Sequence, residues 1–135
     1  MALPLAVLTL WVMAALTAAA FFAVLQDRRM SVNGVKLEQA LAAAESGATI
    51  VLAAWGDAES GLALGDSILS VGWLPRGGGW YRVQVRRTGA RLFLINSTGF
   101  SADSLARQRI GLLVRARGDG GGAERLGAHS WLYLF

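Results

Sequence analysis

The chain has 135 residues, 54% of them hydrophobic and 16% charged, with a formal charge of +4. Such a balance excludes general disorder and leaves room for one small packed domain beside any membrane segment. Cysteine is absent, which removes disulfides, thiolate chemistry and cysteine-bound metals.

Residues 1–26 carry no ionisable side chain. At ~1.5 Å per residue a helix of that length reaches roughly 39 Å, enough to cross about 30 Å of hydrocarbon, so a single transmembrane helix is predicted. A cleaved secretory signal needs a basic start, an apolar run of about 7–15 residues and a small-residue cleavage site. Ala18, Ala19 and Ala20 mimic only the last of these, so the segment is read as retained. Leu3, Pro4, Leu5 and Trp11 are its candidate contact residues, facing membrane lipid or neighbouring helices. Pro4 falls in the first turn, where a missing N–H breaks no intrahelical bond. Arg28, Arg29 and Lys36 follow, a flank that the charge rule alone places in the cytoplasm.

Residues 27–56 continue as a second helical stretch. Ser31-Val32-Asn33-Gly34 predicts a bend or brief break. Beyond it Leu37, Leu41, Ala44, Ala48, Val51 and Trp55 recur every three or four residues, an apolar stripe suited to packing on a sheet. Gly56-Asp57 and Glu59-Ser60-Gly61 read as a helix stop and loop.

An antiparallel sheet of three to four strands is predicted over residues 57–118. A short strand at residues 68–71 precedes the turn Pro75 to Gly79. From Trp80 to Arg87, Tyr81, Val83 and Val85 alternate with Arg82, Gln84 and Arg86, the pattern of a half-buried strand. Thr88-Gly89 reads as a two-residue hairpin with glycine at positive φ, and a strand follows at residues 91–95. Farther on, Ile110, Leu112, Val114 and Ala116 alternate with Arg107, Arg109, Arg115 and Arg117. Residues 119–135 read as a glycine-rich tether and an apolar segment that either adds an edge strand or tucks under the sheet. The expected fold is α+β, a long N-terminal helix packed on a small antiparallel sheet.

Twelve of the 13 basic residues are arginine, spread along the strands. Arg82, Arg86, Arg107 and Arg109 read either as a solvated polar face or as an anion-binding one. No catalytic residue is assigned: His129 is a lone histidine that reads as a surface residue. Asp57, Glu59 and Asp66 lack a calcium-loop pattern, and Gly77-Gly78-Gly79 lacks the Lys-Ser of a phosphate loop, so no metal or cofactor is expected. An enzyme is not the expected reading.

Three short motifs carry a family resemblance. Ala2-Leu3-Pro4-Leu5 resembles the opening of mature PilX-type pilus assembly proteins, and Leu41-Ala42-Ala43-Ala44-Glu45-Ser46-Gly47 resembles their alanine-glutamate-glycine helix motif. Ser97-Thr98-Gly99-Phe100 followed by Ala106-Arg107-Gln108-Arg109 is similar to the strand, loop and strand of that group. No basic leader ending in glycine precedes the apolar run, and Leu5 stands where major pilins keep a glutamate. The resemblance therefore implies a type IV pilin-like minor subunit or minor pseudopilin. It would sit single-pass in a bacterial inner membrane, with its C-terminal domain periplasmic or extracellular, against the charge rule. Other pilin-like subunits are the implied partners. Nucleic acid is not expected, with DNA uptake one of the systems left open. The rival reading is a bitopic envelope protein whose sheet domain binds a ligand or partner outside any filament.

Overall fold

The computed structural model describes residues 2–117, 122–126 and 131–134, of which 2, 3 and 131–134 are described by their backbone alone. Helix α1 runs Ala2–Ala53, and the single turn α2 runs Asp57–Ser60. Six strands follow: β1 Ser67–Trp73, β2 Trp80–Arg87, β3 Leu92–Phe100, β4 Arg107–Ala116, β5 Ala123–Arg125 and β6 Trp131–Leu134. The chain forms two compact units, Met1–Val35 and Lys36–Phe135.

The first unit is helix alone. Between Pro4 and Asn33 the sequence holds neither glycine nor a second proline, and it is rich in alanine and leucine. The interruption expected at residues 31–34 does not occur, because helical structure continues through them. Asn33 and Gly34 each cost at most about 1 kcal/mol in a helix, too little to stop propagation between strong flanking helix formers.

In the second unit the remainder of α1 packs on an antiparallel sheet, so the fold is α+β. The order is β1-β2-β3-β4-β5, with β6 also on β4, two strands more than the upper expectation. The C-terminal segment is an added strand: β6 pairs residues 131–134 with 109–112, while β5 pairs with 114–116 farther along β4.

The buried sheet face is built from Tyr81, Val83 and Val85 on β2, Phe93 and Ile95 on β3, and Ile110, Leu112 and Val114 on β4. Alternation along each strand places these side chains on one face, and the pairings Val85 with Ile95 and Ile95 with Leu112 carry that face across the sheet. The helix meets it through Ala40, Ala43, Ala44, Ala48 and Val51, all buried. Leu37, expected in the stripe, is 43% exposed, while Leu41 and Trp55 are partly buried at the rim. Because the sheet supplies the large side chains, close packing leaves room only for small ones beneath the helix.

Two glycines set that approach. A Cβ on Gly99 would collide with the Ala40 carbonyl and the Ala44 amide, and a Cβ on Gly47 would lie 2.6 Å from the Tyr81 ring. Ser97, fully buried between them, donates its hydroxyl to the Ala44 carbonyl at 2.7 Å.

Turns differ from expectation in two places. The β2–β3 connection spans four residues, 88–91, and both Thr88 N–H and Gly89 N–H donate to the Leu92 carbonyl. Gly89 is not at positive φ, since a longer loop closes without the mirror-image turn. The expected loop after Gly56 contains α2, whose Glu59 carboxylate accepts the Gly56 N–H at 3.0 Å and caps the turn.

Candidate functional site

Two surfaces carry the candidate residues, one in each unit. On the first unit, Leu5, Trp11, Phe21 and Phe22 are about two-thirds or more exposed, at 67%, 74%, 70% and 71%. Nothing in this unit covers them. Among the described residues, one helix is long and apolar enough to cross a membrane, by length and composition.

Twelve large apolar side chains from Leu5 to Leu25 are exposed, between 41% and 74%. Leaving them in water forfeits on the order of 20 kcal/mol, at roughly 1.5–3 kcal/mol each. An apolar surface of this extent is suited to cover by lipid or by other helices. Its polar groups suit that setting: Thr9 donates to the Ala6 carbonyl at 2.9 Å and Thr17 to that of Met13 at 2.8 Å. Pro4 lies in the first turn, and the side chain of Leu3 is outside the described residues.

The second surface is the outer face of the sheet. Antiparallel register aligns Trp73, Trp80, Phe100 and Arg107 in one row, and Val71, Arg82, Thr98 and Arg109 in the next. A third row holds Leu69, Gln84, Asn96 and Gly111. Trp80 stacks face to face on Phe100 with ring centres 3.8 Å apart, Trp73 stands 5.9 Å from Trp80, and the Arg82 guanidinium lies 5.9 Å over the Trp80 ring.

Together these rows enclose an open groove of about 440 Å³. Arg82, Arg107 and Arg109 line it with Gln84, Asn96 and Thr98, and Leu69 and Phe100 stand at its ends. Arg86 lies outside: its Nε donates to the Gly65 carbonyl at 3.3 Å, toward the loop before β1. Thus three of the four candidate arginines come together. The aromatic row and the amides between the arginines were missed from sequence. Their positions at every second residue of predicted strands were visible, but cross-strand register was not.

Around the loop after β3, Lys36 forms a 2.7 Å ion pair with Asp103. The Asp103 carboxylate also accepts the Ser101 hydroxyl at 2.7 Å and the Leu105 N–H at 3.1 Å. First the Lys36 ammonium, then these two donors, hold the Asp103 carboxyl well below the usual carboxylate range.

The motif segments at residues 41–47 and 97–100 meet at the helix–sheet contact, through Ala43, Ala44, Ser97 and Gly99. Among the described residues no group of three His, Asp or Glu converges into a metal site. His129 lies outside the described residues, as do residues 119–121 of the glycine-rich tether.

Comparison with protein-family models, with curated proteins and with solved structures finds no match.

Proposed function

We propose that this chain is a minor, pilin-like subunit that acts in initiating or assembling a type IV pilus or a related secretion pseudopilus. The observation that carries the reading is the division of α1. One continuous helix has an uncharged, wholly exposed apolar half and a second half whose small residues close an antiparallel sheet. The first half resides in a bacterial inner membrane, with the sheet domain on the periplasmic side, and packs among similar helices on assembly. Transfer of an apolar helix from lipid to a helical bundle is nearly neutral in hydrophobic terms, so packing decides the outcome. Leu5 places no charge in the hydrocarbon, and so needs no partner to neutralise it, which suits a subunit at a filament end.

The test is photo-cross-linking in cells from positions Leu8 and Leu16. Other pilin-like subunits are expected among the adducts; adducts with none of them would sink the reading. The outer-face arginines favour a second reading, a bitopic envelope protein that works outside any filament. Exchanging residues 4–25 for an unrelated membrane helix separates the two, because only the second reading survives the exchange.

A further inference from the structure

We infer that the outer face of the sheet is a docking surface for an acidic protein segment, whether or not the chain enters a filament. Arg82 and Arg109 lie in one cross-strand row with Thr98 between them, about 10 Å apart at the usual strand spacing. Arg107 is two residues from Arg109, about 7 Å along the same strand and on the same face. All three line one groove, and among the described residues no carboxylate pairs with any of them.

Three like charges gathered in this way repel one another, and an incoming carboxylate relieves that repulsion through paired guanidinium hydrogen bonds. Gln84, Asn96 and Thr98 lie on the same groove and offer amide and hydroxyl partners to a peptide backbone.

The flanks decide between kinds of polyanion. A nucleic-acid strand calls for positive charge tracking its backbone. Here the groove charges form one cluster, and one side of it is bounded by exposed apolar residues of β1: Leu69, Val71 and Trp73. Arginine side chains beside an aromatic row, apolar neighbours and no lysine or acid in these rows are the composition of a protein interface. The occupant that matches is a segment with one or two carboxylates beside an aromatic or aliphatic side chain. Its acid sits among Arg82, Arg107 and Arg109, and its apolar group lies on Val71 and Trp73.

The test uses the full chain in neutral detergent micelles to select from a random-peptide display library, followed by fluorescence anisotropy with the selected peptides. Enrichment of acidic peptides with an aromatic or aliphatic neighbour is expected. Their affinity should fall about tenfold or more for the double variant Arg82→Gln/Arg109→Gln, the scale of a lost charge-assisted pair. It should hold for Arg91→Gln, which removes a charge from the β2–β3 loop. Both variants change exposed side chains, and matching thermal unfolding curves would exclude misfolding. The inference is overturned by no enrichment, by selected peptides lacking acids, or by unchanged affinity for the double variant. Tighter binding of a labelled oligothymidylate than of the best peptide would also overturn it, in favour of nucleic acid.

Discussion

The two halves of α1 are both rich in alanine and both fully helical, yet they meet opposite fates. Before Val35 the apolar side chains stand exposed on every side, and from Ala40 onward one face disappears against the sheet. Arrangement separates them more than composition does. An apolar circumference has no preferred face and calls for lipid or a bundle of helices. A stripe of alanine with glycine instead lets a helix approach a sheet that already carries the bulk. The same residue type, alanine, is a helix former in the first half and a spacer in the second.

The sharpest way to break this contrast is to remove the space. Gly99→Leu drives a side chain into the Ala40 and Ala44 backbone and should cost about 3–5 kcal/mol, the scale of severe overpacking. Limited proteolysis in detergent should then cleave the sheet unit rapidly, while membrane extraction stays unchanged. If the sheet unit keeps its protease resistance, the close approach is not what holds the helix.

A somewhat smaller effect is expected from the other half. Leu16→Arg places a charge in mid-segment, which raises the insertion free energy by about 2.5–3.5 kcal/mol. Carbonate extraction should shift toward the soluble fraction, and the sheet unit should unfold at its former temperature. A coupled loss of both would mean that the two halves do not act separately.

The smallest effect concerns the loop after β3. The Asp103 carboxyl titrates lower in the folded chain than in the unfolded one, so its contribution is fully present above the ordinary value of 3.8. It is lost as the pH falls below that value toward the depressed folded one. Unfolding midpoints followed from about pH 5 downward should decline in this window. Asp103→Asn should flatten that decline while leaving the outer groove intact; an identical pH profile would remove the Lys36 ion pair from the account.

Not everything in the sheet unit was legible in the same degree. Strands β2 and β4 announce themselves through alternation of polar with apolar residues, broken in β4 where Gly111 and Leu113 interrupt the charged face. Leu37 misled because periodicity weighs size: a large apolar side chain scores as core, whereas the contact face needed Ala40, Ala43 and Gly47. In the sequence Arg87 looks like one more strand arginine. It turns to the inner side, where its guanidinium donates to the carbonyls of Leu62, Gly89 and Ala90 and lies 5.7 Å over the Phe93 ring. Those three carbonyls belong to two loops, and no local pattern records that they converge.

The candidate groove repeats the point. In the sequence Arg82, Arg86, Arg107 and Arg109 share one outward alternation and read as one face. Register separates Arg86, placing it in the row of Ser67 and Leu94, beyond the groove.

By itself the sequence determined the uncharged apolar helix, the existence of an antiparallel sheet and which side of each long strand faces inward. These follow from helical and strand periodicity, which act over a few residues. Only the tertiary structure decided the rest: the glycine and alanine contact between helix and sheet, the two added strands on β4, and the gathering of three arginines beside an aromatic row. Each depends on register between strands distant in the chain, where a one-residue slip moves a side chain to the opposite face.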